Sequence, residues 1–443
     1  MENRNYWVVS PNVKNNDEEN NWKDFLSIEP FSFMGWNKEN KFGNTFINTI
    51  KKGDVIINAQ RKNWEPYVYG IGIVLNDKCD WQEIDKAPSG AYCRQLNPYL
   101  TKERVSKLQL DFNGTAYYGK NKQIPALYQL HPYSNENDKR LVEIIEKELE
   151  MVEKEQYTQK FIDILLANKN IILTGAPGTG KTYLAKQIAK QIIGIDSDDE
   201  LANSGQFGFV QFHPSYDYTD FVEGLRPTKP DSNGNIGFEL KNGVFKEFCN
   251  NAKQDKSSED SKKYVFIIDE INRGEISKIF GELFFSIDPS YRGIKGAVKT
   301  QYANMYDDTT ETFYIPENVY IIGSMNDIDR SVESFDFAMR RRFTWIEITA
   351  EESATNMNLL ADIVSKMNNL NKEISNIEGL DSSFHIGGAY FLDSDGKPRT
   401  DLEDVYKFRI ESLLKEYLRG LPDVEEKLKK LKSSYFSDEN NGQ

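Results

Sequence analysis

The sequence predicts a parallel α/β nucleotide-binding domain, with a small β-rich domain ahead of it and a helical segment behind it. Three observations carry this. A glycine loop, "GAPGTGKT" (175–182), sits between a β-branched run and an amphipathic stretch. From residue 170 to about 347, apolar strand-like runs alternate with helical patterns, the arrangement of a parallel sheet with crossover helices. Residues 5–130 instead hold short β-rich runs bounded by Gly, Asn and Pro, and 350–432 is mainly helical in spacing.

A chain of 443 residues allows two or three domains, each with its own core. Hydrophobic content of 39% and charged content of 28% are ordinary for a soluble globular protein. No stretch approaches the ~18 consecutive apolar residues of a membrane span, and "MENRNYWVVSPN" lacks the basic and apolar regions of a secretory signal. The three cysteines, Cys79, Cys93 and Cys249, have no CxxC spacing and no histidine companions. They suit a reducing cytoplasm and offer no metal site. The net charge of −14 argues against a chain that coats nucleic acid along its whole length, but the charge is uneven. Residues 1–130 hold 17 Lys+Arg against 15 Asp+Glu, a net of +2, so the remainder carries −16. A near-neutral front end on an acidic body permits a local nucleic-acid site.

In the front segment, "YWVVS" (6–10), "GDVIINAQ" (53–60) and "YVYGIGIVL" (67–75) read as strands. Residues 138–168 then switch to helical spacing, with Leu141, Ile144, Ile145 and Leu149 expected on one face. The domain boundaries that follow are 1–130 (β-rich), 131–169 (helical connector), 170–347 (α/β core) and 348–443 (helical segment with a polar tail).

The loop fits G-x-x-x-x-G-K-[ST] and follows the strand "NIILT", the context this motif needs. Gly175, Ala176, Pro177, Gly178, Thr179 and Gly180 would turn backbone N–H groups toward nucleotide phosphates, with Tyr183 just beyond, and the helix N-terminus adds a favourable field. Lys181 would reach the β- and γ-phosphates and Thr182 would ligate Mg²⁺. In "KKYVFIIDEINRGE" (262–275) an apolar strand ends in Asp-Glu, putting Asp269 beside the metal and Glu270 where it can polarise an attacking water. A further buried strand, "NVYIIGSMN" (318–326), ends in Asn326. Strand C-termini of a parallel sheet line one crevice, so Asn326 can meet the γ-phosphate and the water. "FDFAMRRRF" (335–343) supplies three successive arginines, read as an arginine finger for a neighbouring subunit's nucleotide. His213, in "QFHPSYDY", reads as structural.

The order of these elements resembles the AAA+ class of ring-forming NTPases. "MNDIDRS" (325–331), "VQFHPSYDYTDFVEGLRP" (210–227), "FYIPENVYIIGSMN" (313–326) and "FHIGGAYF" (384–391) narrow the resemblance to McrB, the GTP-driven motor subunit of modified-DNA restriction systems, over about 170–432. By motif position the resemblance implies that Asn326, Asp329 and Arg330 position water and nucleotide. Asp336 and Arg341 or Arg342 would belong to the subunit interface and finger, with the choice among Arg340, Arg341 and Arg342 left open. It also implies GTP rather than ATP, a homo-oligomeric ring, a hexamer, and a separate McrC-like nuclease subunit. The loop itself does not specify the base.

The front segment is similar to the EVE/YTH branch of PUA-like folds, small β-barrels that bind a modified base in an aromatic-lined pocket. Trp7, Trp36, Trp64 and Trp81 fall within it. Tryptophans at strand spacing generally pack inward. Trp36, in the loop-like "FMGWNKEN", is the leading pocket wall and Trp64 the second, with Ser10 and Asn12 as base-edge readers. The expected function is therefore a cytoplasmic GTP-hydrolysing AAA+ motor that reads modified DNA. The alternative is an ATP-driven AAA+ remodelling protein whose front domain binds RNA or protein.

Overall fold

The computed structural model describes residues 4–10, 22–34, 38–62, 65–82, 91–113, 115, 127–230, 232, 234–255, 262–328 and 337–437. The chain divides into two compact units, Met1–Tyr157 and Thr158–Gln443.

The first unit is a small β domain, as its strand pattern predicts. Its strands are β1 (Tyr6–Val9), β2 (Phe31–Met34), β3 (Val55–Lys62), β4 (Glu65–Val74), β5 (Asp80–Gln82), β6 (Ala91–Thr101) and β7 (Leu127–Leu130). They form one sheet in the order β2-β6-β4-β3-β1-β7, with β5 paired to β6. β1 lies parallel to β3, and the other pairings are antiparallel. Trp7 is a core residue here. It is buried, and its indole N–H donates to Asp54 Oδ2 at 3.1 Å, satisfying the one polar group such a ring must not leave unpaired. Trp36, Trp64 and Asn12 lie outside the described residues, and Ser10 stands half-buried just after β1.

The stretch read as a connector is a helix, Glu136–Asn168, whose first turns belong to the first unit's core. Leu141, Val142, Ile145, Leu149 and Val152 pack with Val8, Ile57 and Ile71 of the sheet. Tyr6 Oη and Arg4 Nη1 donate to Glu146 at 2.8 and 3.3 Å, and Arg104 Nη1 donates to Glu155 at 2.7 Å. Ile144 departs from the expected face. At 37% exposed it flanks the buried stripe, which runs through 141, 145, 149 and 152 at helical spacing.

The second unit is built on a five-stranded sheet of β8 (Asn170–Thr174), β9 (Phe207–Gln211), β12 (Tyr264–Asp269), β13 (Val319–Ser324) and β14 (Thr344–Glu347). The order is β14-β8-β13-β12-β9 and every pairing is parallel. β8 and β13 are buried along their whole length, which is why they read as unbroken apolar runs rather than alternating ones. A hairpin, β10 (Glu223–Pro227) and β11 (Phe238–Asn242), is inserted after β9. At its root a buried ion pair joins Lys246 to Glu223, with Tyr306 bonded to both. Beyond β14, helices Ala361–Ser375, Glu411–Tyr417 and Val424–Phe436 gather around Ile363, Met367, Leu370, Leu414, Leu431 and Tyr435, giving the expected helical lid its own core. Among the described residues, no helix is long and apolar enough to cross a membrane.

Candidate active site

The C-terminal ends of β8, β12 and β13 open on one side of the sheet, and the phosphate-loop residues gather there. Gly178 and Gly180 take φ of +78° and +79°, a left-handed conformation that suits glycine and turns successive N–H groups the same way. The helix Lys181–Ile193 follows directly, burying Leu184, Ala185, Ile188 and Ala189. Lys181 is itself buried. Its ammonium donates to Gly175 O at 3.0 Å, Ala176 O at 2.8 Å and Thr179 Oγ1 at 3.2 Å, which centres the charge within the loop. Tyr183 is 67% exposed and points its bulk at solvent.

Thr182 Oγ1 donates to Asp269 Oδ1 at 2.8 Å, across 87 residues of sequence. The Ser324 hydroxyl donates to the same oxygen. Two hydroxyls and a carboxylate at one point form a hard, oxygen-only donor set that fits Mg²⁺, which takes one or two carboxylates and leaves its other positions to water and phosphate. No group of three or more His, Cys, Asp or Glu able to hold a metal occurs among the described residues.

Glu270 is held in place. Asn326 Nδ2 donates to its Oε1 at 3.0 Å, and Arg273 Nε donates to its Oε2 at 3.1 Å. Its backbone takes φ +50°, a left-handed conformation costing a non-glycine residue about 1 kcal/mol or more, which persists only where the surroundings fix it. Asp327, next to Asn326, donates its N–H to Gly175 O at 3.3 Å. Burial pushes its carboxyl above the ordinary value, opposed by nearby Lys181. Ser324, Arg273 and Asp327 carry no motif signal in the sequence. Each is one to three residues from a motif residue, Asn326 or Glu270.

The lid contributes directly. Gly387 N donates to Pro177 O at 3.1 Å and Ala389 N to Gly178 O at 2.9 Å, so "HIGGAYF" lies backbone to backbone on the phosphate loop. Gly388 N is held in turn by Ser353 Oγ at 2.9 Å.

The three arginines separate clearly. Arg340 lies over the Trp345 ring at 4.9 Å, and Trp345 Nε1 donates to Arg340 O at 3.2 Å. Arg342 is buried, 4.6 Å over the Phe284 ring, and Nη1 donates to Ala338 O at 2.5 Å. Arg341 is exposed between them. All three precede β14, at the end of the sheet opposite the loop. Thr344 pairs with Ile171 and Glu347 with Thr174, so roughly 13 Å of strand separates the start of β14 from Gly175. Asp329, Arg330 and Asp336 lie outside the described residues. His213 is exposed, and its Nδ1 accepts from Ser215 N at 3.2 Å, closing a turn after β9.

Residues 170–343 match the family model of the AAA domain (dynein-related subfamily), and residues 362–425 match that of the McrB alpha-helical lid domain. The chain is 32% identical to the type IV methyl-directed restriction enzyme EcoKMcrB subunit of Escherichia coli (strain K12), over 91% of this chain and 89% of that protein. This chain belongs to the McrB family of AAA+ proteins. A second relative is the type II restriction enzyme BsuMI component YdiS of Bacillus subtilis (strain 168), 26% identical over 46% of this chain and 64% of its own length. Among solved structures, NtrX from Brucella abortus in complex with ADP is 14% identical (TM-score 0.27; 65% of this chain, 58% of that one). C. elegans PCH-2 is 16% identical (TM-score 0.23; 63% and 66%). For this McrB-family chain, the site is that of a nucleotide-hydrolysing AAA+ domain with its lid, binding nucleotide and Mg²⁺.

Proposed function

We propose that this McrB-family protein is the GTP-hydrolysing motor subunit of a modification-dependent restriction system acting in the cytoplasm. The observation that carries the reading is the convergence of Lys181, Thr182, Asp269, Glu270 and Asn326 in a chain related over nearly its full length to a methyl-directed restriction subunit.

The division of labour follows from chemistry. Backbone N–H groups of 175–180 and the Lys181 ammonium bind the phosphates, while Thr182 and Asp269 would hold Mg²⁺, which neutralises charge on the phosphate oxygens when bound. Glu270 accepts a proton from the attacking water, with Asn326 and Arg273 fixing its carboxylate. Asp329 and Arg330 complete the water and nucleotide contacts. Arg341 is the finger. Two observations support this reading: its two neighbours are engaged within their own subunit, and the turn stands at the end of the sheet away from its own phosphate loop, as a residue serving a neighbouring site would. That requirement supports a homo-oligomeric ring, which the McrB resemblance suggests is a hexamer. The strand-rich segment 1–130 acts as a PUA-like, EVE-type reader of modified DNA, with Trp36 and Trp64 as pocket walls and Ser10 and Asn12 at the base edge. A McrC-like partner performs the cleavage.

The test is binding of the full chain to matched duplexes with and without modified bases. Stronger binding to at least one modified duplex, abolished by Trp36→Ala without loss of the thermal transition, supports the reader. Equal affinity across the panel removes it.

A further inference from the structure

At the end of the sheet away from the phosphate loop, a buried cation ties several segments together. Arg292 is 1% exposed, yet its hydrogen-bond acceptors are neutral: Ile287 O at 3.2 Å from Nε, Val319 O at 3.3 Å from Nη1, and the side-chain oxygen of Asn170. Burying a guanidinium against neutral partners is costly, so the arrangement calls for a reason beyond filling space. Asn170 supplies one. It is the first residue of β8, fully buried, and its Nδ2 donates to Ile287 O at 2.8 Å and to Arg342 O at 2.9 Å. The same turn also meets Phe284, whose ring lies 4.6 Å from the Arg342 guanidinium.

We infer that Asn170, oriented by Arg292, is a positioning residue for the arginine finger: it pins the carbonyl of Arg342 to the strand that leads into the phosphate loop and thereby sets where Arg341 points. The inference rests on the reading of Arg341 as a finger acting between subunits. A fully buried amide whose oxygen is taken by Arg292 can aim its N–H groups in only one direction, and one of them is spent on the finger turn. Nucleotide bound at one end of β8 and the finger at the other thus share a rigid strand, so each subunit presents its finger from the same element that carries its own phosphate loop.

Asn170→Asp separates the two roles of this side chain. It keeps an acceptor for Arg292 but replaces the donor with an oxygen facing both Ile287 O and Arg342 O, which pushes the finger turn away. Because a displacement of about 1 Å in a reacting group can cost up to ~100-fold, the full-length variant is expected to lose at least about tenfold in turnover. Its nucleotide affinity should stay within about twofold of wild type. Phe284→Ala loosens the same turn without touching Asn170 and carries the test if Asn170→Asp does not fold.

The decisive readout is mixing. Adding Glu270→Gln subunits, which cannot hydrolyse but carry intact fingers, should restore turnover at Asn170→Asp sites. A defect in the variant's own site would not be rescued. Wild-type turnover in both variants, or a loss that mixing leaves in place, overturns the inference. Arg341→Ala, run alongside, separates it from the reading beneath it. Wild-type turnover there defeats the finger itself, whereas loss there with full activity in Asn170→Asp and Phe284→Ala defeats only the positioning role.

Discussion

Gly387→Ala probes the lid's hold on the phosphate loop with a single methyl group. The backbone at Gly387 has φ −81° and ψ 164°, extended values that alanine adopts freely, so any effect comes from contact alone. A Cβ there would stand 2.3 Å from Gly178 C, and 2.4 Å from both Gly178 O and Thr179 N. Carbon contacts are comfortable at about 3.5 Å, so roughly 1 Å of separation must be created. All three atoms are backbone and cannot swing aside. The bonds from Gly387 N to Pro177 O and from Ala389 N to Gly178 O stretch or break, at about 1 kcal/mol net each. Overpacking elsewhere costs about 1–3 kcal/mol. If about 1.4 kcal/mol of this reaches the nucleotide-bound loop, affinity falls about tenfold. The assay is titration with a fluorescent nucleotide analogue, with turnover measured on the same preparation. Affinity and turnover both within twofold of wild type would refute the idea that the lid's backbone contacts hold the phosphate loop in its nucleotide-binding form.

Further outcomes follow from the same geometry. Glu270→Gln should leave nucleotide bound but unhydrolysed, because the carboxylate acts on water rather than on ground-state phosphates, whereas Lys181→Ala should weaken binding itself. Retained turnover in Glu270→Gln would reverse the Asp269/Glu270 assignment. Wild-type turnover should rise more steeply than linearly with protein concentration, and Arg341→Ala should lower turnover at constant nucleotide affinity; Arg340→Ala should do so weakly, and a reversed ranking would move the finger. Lys246→Met should destabilise the second unit by about 3–5 kcal/mol in denaturant unfolding, because it strands the buried Glu223 carboxylate. Burial alone would raise the Glu223 carboxyl, but the bonds from Lys246, Thr300 and Tyr306 outweigh it and hold it below its ordinary value. A depressed carboxyl contributes stability above the unfolded value, near 4.3, and loses it as pH falls through the folded value. Wild type should therefore lose stability below about pH 4.3 more steeply than Lys246→Met, and parallel curves would contradict the pairing.

What sequence could show was set by how local each signal is. The phosphate loop, Asp269–Glu270 and Asn326 sit at strand ends, where a buried apolar run stops at a polar residue, and one sheet brings all of them together. Contacts made across the sequence left no such trace. Nothing in "HIGGAYF" indicates that Gly387 must lack a Cβ, since the reason is the backbone of Gly178 more than 200 residues away. The choice among Arg340, Arg341 and Arg342 depends on Trp345 and Phe284, which only the folded turn places beside them. Helical spacing in 138–168 was legible. That its first turns complete the β domain's core was not, because an amphipathic stripe does not name its partner. Ile144 was misplaced for the same reason: the stripe's centre is fixed by the sheet it meets.

We propose that this McrB-family site turns over GTP to drive restriction, although phosphate-cradling backbone is blind to the base. The most direct test is steady-state hydrolysis of GTP and of ATP by one full-length preparation, at matched concentrations and with Glu270→Gln as the blank. Turnover of GTP is expected well above that of ATP, both abolished by the substitution. Turnover of ATP with none of GTP would contradict it and favour an ATP-driven remodelling protein.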